Sequence, residues 1–261
     1  MIQLLALACM VALAQGNSRI INGQSTNIAA HPHQISLQRY STSAGVWYHT
    51  CGGSLVSEYW VVTAAHCVEG ASASSLNVML NNGYLDDPAR RYHGVSQVIM
   101  HNNYNKGSGA YPNDIALLKL ATPADLTGAN QIIELANSNE NFDYVTCKLS
   151  GWGHTETGTS SNKVIPNQLQ ETSGVIYNQT QCAAVWTRNY EHNAHICIHN
   201  ALTGTCQGDS GGPMVCPRAG TNGVLAGVTS WGVSGCGTSF PSVYARVSTY
   251  RAWLDNTMAN N

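Results

Sequence analysis

The chain has 261 residues, 43% of them apolar and only 10% charged, with a net charge of −2. That balance excludes a disordered chain and a basic nucleic-acid binder, and the length is ample for a buried core. The 25 glycines, with few long periodic runs, point to a turn-rich all-β protein.

Residues 1–14, MIQLLALACMVALA, are almost wholly apolar, too short to span a bilayer, and end in the small-x-small pattern Ala12-Leu13-Ala14. They read as a signal peptide cut before Gln15, which makes the chain secreted and extracellular. No later stretch is long and apolar enough for a membrane helix. Strand-like runs follow at Gln34–Tyr40, Tyr59–Thr63, Leu76–Leu80, Gln97–His101, Ile115–Leu120, Val224–Thr229 and Val243–Val247. The turn-rich segment Ala121–Ala129 is the expected crossing between two halves. One helix is predicted over Ser248–Met258, with Tyr250, Trp253, Leu254 and Met258 on one face.

Cys9 leaves with the signal peptide. The even set that stays behind (Cys51, Cys67, Cys147, Cys182, Cys197, Cys206, Cys216 and Cys236) reads as a disulfide framework whose pairing the sequence leaves open. No C-x-x-C pair suggests a metal. His192, His195 and His199 crowd the neighbourhood of Cys197 and read as solvated loop histidines rather than ligands. Asn178-Gln179-Thr180 is an acceptor sequence for N-glycosylation, as suits an exported surface loop.

The chemistry centres on Gly208-Asp209-Ser210-Gly211-Gly212. This run satisfies G-x-S-x-G, the nucleophile elbow of α/β-hydrolases, but that fold needs its histidine after the serine. No histidine follows His199, so the base must lie upstream. His66 sits where the apolar run Val61-Val62 enters the small residues Ala64-Ala65. Asp114 opens the apolar run Ile115–Leu118, where a desolvated carboxylate needs a donor that an imidazole N–H can supply.

Five runs, taken in order, resemble the chymotrypsin/trypsin/elastase family. They are Thr63-Ala64-Ala65-His66-Cys67, Asp114-Ile115-Ala116-Leu117-Leu118, Ser150-Gly151-Trp152-Gly153, Gly208 to Pro213, and Ser230-Trp231-Gly232. The resemblance covers the chain from Ile20 to near its C-terminus. It implies two antiparallel β-barrels, about 20–125 and about 126–247, a C-terminal helix at about 248–258, and an active site in the cleft between the barrels. It implies Ser210 as nucleophile, His66 as base and Asp114 as the group that orients the imidazole. The backbone N–H groups of Gly208 and Ser210 would form the oxyanion hole. Ser230 would hydrogen-bond the buried aspartate, and Ser230 to Gly232 would pair with substrate as an extra strand.

The same resemblance makes Arg19-Ile20 an activation junction, with residues 1–14 as signal, 15–19 as propeptide and 20–261 as peptidase domain. Cleavage would free the Ile20 α-amine to insert beside Asp209 and order the oxyanion loop. The implied disulfides are Cys51–Cys67, Cys147–Cys216, Cys182–Cys197 and Cys206–Cys236. No cysteine lies in Gln15–Arg19, so the propeptide is expected to diffuse away. The pocket base is Gly204, where trypsins carry Asp, and with Gly232 and Ser242 it implies a roomy, uncharged pocket for Phe, Tyr, Leu or Met. A narrower preference for small apolar residues, as in elastases, is the alternative. Tyr111 and Trp231 either line neighbouring apolar subsites or simply pack in the core.

Arg19 does not suit that pocket, so a separate trypsin-like protease is the expected activator. Protein or peptide substrates and protein protease inhibitors are the other expected partners, for a monomer with no nucleic acid, membrane or cofactor. The family's calcium loop would fall at Asn81–Arg91, but Asp86 and Asp87 come without the glutamate pair, and no metal is expected. The leading expectation is a digestive endopeptidase. A cascade or venom protease and a catalytically decayed binding homologue are the alternatives.

Overall fold

The computed structural model describes residues 20–127, 131–155 and 164–261. The predicted signal peptide, the propeptide and Arg19 lie outside these residues. In chain order the strands are β1 (Gln24–Ser25), β2 (Gln34–Ser41), β3 (Val46–Ser57), β4 (Trp60–Thr63), β5 (Leu76–Leu80), β6 (Arg91–Met100) and β7 (Ala116–Leu120). Then come β8 (Glu134–Leu135), β9 (Thr146–Gly151), β10 (Gln170–Tyr177), β11 (His195–His199), β12 (Pro213–Cys216), β13 (Val224–Trp231) and β14 (Ser242–Arg246). Helix α1 (Gln179–Trp186) precedes β11, and α2 (Val247–Asn260) closes the chain.

The strands form two antiparallel barrels. The first closes in the order β2-β3-β4-β7-β6-β5. The second runs β9-β10-β11-β14-β13-β12, with β12 returning to β9. Inward positions are apolar, as a period-two strand with one buried face requires. Ile35 and Leu37 in β2, Val61 and Val62 in β4, and Leu117 and Leu118 in β7 are all fully buried.

Strand β2 buries its other face as well, although that face is polar. Gln34 and Ser36 are as buried as their apolar neighbours. A buried polar group needs a partner, and here the partners lead into the second barrel. Ser150 Oγ on β9 donates to Gln34 Oε1 at 2.7 Å. Ser36 Oγ lies 2.7 Å from His49 Nδ1, and the other nitrogen of that ring lies 2.9 Å from the Gly208 carbonyl. The polar face of β2 is therefore part of the seam between the barrels.

The two chain ends strap the halves together. Ile20 is fully buried, the Ile21 N–H donates to the Gly204 carbonyl at 3.1 Å, and β1 pairs with β10. The beginning of the described chain thus docks on the second barrel. Helix α2 reaches the other way. Tyr250 and Trp253 pack edge-on against His101, just beyond β6, at 5.3 and 5.0 Å between ring centroids. Leu254 on the same face is fully buried, a burial worth about 1.5–3 kcal/mol.

One expected site takes on a structural role, and one local expectation is corrected. Asn178, singled out as a glycosylation acceptor, caps α1. Its Oδ1 accepts from the Gln181 N–H at 2.8 Å, Gln181 Oε1 accepts from its N–H at 3.0 Å, and its Nδ2 donates to Tyr144 Oη at 2.6 Å. The histidines near Cys197 do not form a solvated loop. His195 to His199 is strand β11, and His195 is 1% exposed because its register against Ala245 of β14 turns the ring inward. Only His192 is exposed to solvent; His199 is partly covered and sits against Tyr177 Oη at 2.8 Å.

Candidate active site

His66 follows β4, in the turn where Cys67 and Val68 donate to the Ala64 and Ala65 carbonyls. Small residues at 64 and 65, both fully buried, let this turn lie flat against the barrel. Asp114 precedes β7, which pairs with β4, so neighbouring strands deliver the two side chains side by side. His66 Nδ1 donates to Asp114 Oδ2 at 2.7 Å, and the His66 backbone N–H donates to Oδ1 at 2.9 Å. Ser230 Oγ, from the end of β13, donates to Oδ2 at 2.5 Å. The carboxylate side chain has no solvent exposure, and these donors take the place of water. With Nδ1 carrying the proton, His66 Nε2 is left as the acceptor.

Ser210 stands at the tip of a turn held by both barrels. Its carbonyl accepts from the Gly52 N–H of β3 at 2.7 Å, and the Gly211 N–H donates to Thr229 of β13 at 2.7 Å. The flanking glycines are conformationally necessary. Gly208 and Gly211 have φ of +99° and +77°, a region that costs other L-residues energy. A Cβ on Gly211 would also lie 2.2 Å from Thr63 Oγ1 and 2.6 Å from the Gly52 carbonyl oxygen.

Sequence reasoning missed His49. The Gly208 carbonyl can only accept, so His49 Nε2 donates to it and Nδ1 accepts from the Ser36 hydroxyl. Burial holds this imidazole neutral, at about 4. It fixes the peptide that lies between the N–H groups of Gly208 and Ser210, which the sequence reading expects as oxyanion donors. The available signal was the polar alternation Gln34-Ile35-Ser36-Leu37-Gln38 in an otherwise apolar strand.

Asp209 points away from the cleft and is fully buried. Its Oδ1 accepts from the Gly153 N–H at 2.8 Å and Oδ2 from the Cys206 N–H at 2.9 Å. Burial pushes its pKa up to about 7 despite these two donors. Such a carboxylate calls for a cation, and among the described residues no side-chain cation pairs with it.

His66 and Ser210 share one cavity of about 310 Å³ with Tyr111, Gly204, Ser230, Trp231, Gly232 and Ser242. Among the described residues no Asp, Glu, Lys or Arg lines it. A Cβ on Gly204 would meet only Ser242 Oγ, at 3.7 Å, and Thr238 Cγ2, at 4.0 Å, so the floor is open. The Tyr111 ring packs 5.9 Å from His66, and Trp231 is T-stacked on Trp186 at 4.9 Å. The disulfides are Cys51–Cys67, Cys147–Cys216, Cys182–Cys197 and Cys206–Cys236, the pairing that the resemblance implies. Cys51–Cys67 joins the neighbour of Gly52 to the neighbour of His66. Among the described residues the one compact group of metal-ligand types is Cys51, His66 and Cys67, and that disulfide removes its thiolates. In the Asn81–Arg91 loop, Asp87 Oδ1 accepts from the Ala89 N–H and the Asp87 carbonyl accepts from Arg90.

The trypsin family profile matches residues 20–254. The chain belongs to the trypsin family. Fibrinolytic enzyme isozyme C of Lumbricus rubellus is 41% identical over 251 residues, covering 91% of this chain and 100% of that protein. Trypsin alpha of Drosophila melanogaster is 38% identical over 248 residues, covering 94% and 90%. Trypsin I-P1 of Gallus gallus is 36% identical over 251 residues, covering 95% and 92%. The twin barrels are those of the trypsin fold, and the chain is a serine endopeptidase of this family, whose members act on proteins and peptides.

Proposed function

We propose that the chain is a secreted, digestive-type endopeptidase that cleaves after large apolar or aromatic residues and is made as a precursor activated by cleavage after Arg19. The observation that carries the specificity is that no carboxylate lies among the described residues lining the cavity. A Lys or Arg side chain in it would be desolvated with no counter-ion, whereas Gly204, Gly232 and Ser242 leave room for a ring.

The hydrogen bonds of Asp114 to His66 and Ser230 support the mechanism. Asp114 holds the His66 Nδ1 proton, so Nε2 takes the proton from Ser210 Oγ as that oxygen attacks the scissile carbonyl. The oxyanion of the tetrahedral intermediate is met by the N–H groups of Gly208 and Ser210, each such donor being worth about 2.7–4 kcal/mol in the barrier. The His66 imidazolium, stabilised by Asp114, gives its proton to the leaving amine. Water then repeats the sequence on the acyl-enzyme. The substrate backbone pairs with Ser230–Gly232 at the edge of β13.

Activation follows from Asp209. In the uncleaved chain burial favours the neutral form of this carboxyl, and a free Ile20 ammonium would supply the cation that its charged form lacks. The signal peptide and the similarity to proteins named trypsin support secretion and digestion. Because Arg19 does not suit the pocket, a trypsin-like protease performs the cleavage, and protein protease inhibitors that insert a large apolar residue are the complementary partners.

The test is to treat purified precursor with trypsin, remove the trypsin, and assay peptides ending in Phe, Leu, Ala and Arg before the leaving group. The expected kcat/KM is highest for Phe and Leu and at least about 100-fold lower for Arg, since an unpaired buried charge costs several kcal/mol. Highest turnover after Ala would favour the elastase-like alternative, highest turnover after Arg would overturn the pocket assignment, and no turnover at all would favour a decayed binding homologue.

A further inference from the structure

The cleft's upstream wall is built from both barrels, and one buried histidine joins them. His195 Nδ1 accepts from the Glu191 N–H at 3.0 Å. The other ring nitrogen, Nε2, faces the Tyr111 backbone carbonyl, to which a neutral imidazole in this tautomer donates, and has the Trp231 indole Nε1 3.5 Å away. The Trp231 indole stands edge-on to the same ring, 5.5 Å between centroids at 78°. Tyr190 Oη and Arg246 Nε both donate to the His195 carbonyl, at 2.9 and 3.0 Å, which fixes the backbone from which the ring projects.

The segment that carries Tyr111 is docked on this support at several further points. Ser108 Oγ donates to Glu191 Oε2 at 2.7 Å, and the Ala110 N–H donates to the Asn189 carbonyl at 2.8 Å. A Cβ on Gly109 would crowd Asn189, Glu191 and His195 at 3.1–3.5 Å, so the two segments are in close contact. Tyr111 itself has φ +47°, a backbone state that a bulky residue adopts only when its surroundings impose it. The imposed conformation leaves its ring 48% exposed, beside His66 and in the same cavity as Trp231.

We propose that His195 is a positioning residue for extended substrates: by joining the Glu191 N–H to the Tyr111 carbonyl under the edge of Trp231, it sets the spacing of the two aromatic walls that receive the residues preceding the one in the pocket. The inference rests on the proteolytic function above and deepens it. It assigns the apolar preference at those upstream positions to a polar, buried ring that touches no substrate. A hydrophobic residue of similar size would fill the space but leave the Glu191 N–H and the Tyr111 carbonyl without their partner, and Tyr111 would relax from its imposed conformation.

The test uses the activated full-length enzyme with His195→Leu and His195→Gln, assayed on a blocked tetrapeptide anilide with apolar upstream residues and on a blocked single-residue ester with the same pocket residue. His195→Leu is expected to raise KM for the tetrapeptide about tenfold with kcat within about twofold, the size of one or two buried hydrogen bonds. The ester should be hydrolysed as by wild type, and His195→Gln, whose amide can accept and donate at once, should recover most of the loss. His195→Asn, too short to reach both partners, carries the comparison if the Leu variant fails to fold. Equal losses on both substrates would show a merely structural role, and unchanged tetrapeptide kinetics would remove the role altogether. Failure of wild type on both substrates would instead overturn the proteolytic assignment on which the inference rests.

Discussion

Asp114 carries the greatest number of interactions of any side chain in the candidate site, taking donors from His66 twice and from Ser230. Replacing it by Asn leaves the shape intact but presents an N–H₂ to one of those donors and favours the wrong imidazole tautomer. The expected effect of Asp114→Asn is a fall in kcat on the order of 10⁴-fold, typical of a Ser-His-Asp triad, with KM little changed. Steady-state kinetics on a small ester checks it. Asp209 makes a different prediction, about stability. Its folded pKa of about 7 lies above the ordinary 3.8 because burial penalises the anion. A raised carboxylate favours folding most when both states are protonated, and that contribution is lost as pH rises from about 4 to about 7. Relative to Asp209→Asn, the uncleaved precursor should therefore lose thermal stability across that window and level off above it. After cleavage the Ile20 ammonium offsets the carboxylate charge and the decline should disappear. Melting curves of both proteins across the range decide this; parallel curves would contradict the buried-anion account. At this scale the triad residues were legible because each sits in a short run whose composition is otherwise hard to explain. His49 and His195 were not, since a histidine in a strand announces neither its direction nor its partners.

Among the elements, β2 shows how a strand can serve two purposes. Its apolar residues fill one barrel, and its polar residues carry hydrogen bonds across the seam to Ser150 and, through His49, to Gly208. Several strands were legible from alternation or continuous apolar runs, and the end helix from its apolar stripe. The helix α1 was not, because its sequence QTQCAAVW has no clear amphipathic face. Its start was nonetheless encoded, for Asn178 and Gln181 form a capping box that overlaps the acceptor sequence Asn178-Gln179-Thr180. Strand β11 was misread as a loop because its run of histidines suggested solvent, whereas pairing on β10 and β14 buries it. The disulfide Cys51–Cys67 ties the turn bearing His66 to the strand that holds Ser210. Replacing both cysteines by Ala should cost about 3 kcal/mol of stability for a loop of this size, and kcat should fall while the fold survives. Denaturant unfolding and ester hydrolysis on the same preparation separate the two effects; unchanged kcat would show that the bridge does not position the site.

On the scale of the whole molecule, the site exists only where the barrels meet. Asp114 and His66 come from the first barrel, Ser230 and the Ser210 turn from the second, and the Gly52, His49 and His195 contacts cross between them. The buried Ile20–Ile21 segment bonds to Gly204, which lines the cavity. Through this segment the proposed cleavage after Arg19 would reach the pocket. The most direct measurement is labelling by a fluorophosphonate, which modifies only an activated serine, followed by peptide mapping of precursor and trypsin-cleaved protein. The expected result is rapid, stoichiometric labelling at Ser210 in the cleaved form, slow labelling in the precursor, and none in His66→Ala. Equal labelling rates before and after cleavage, or a label at any other serine, would contradict the account.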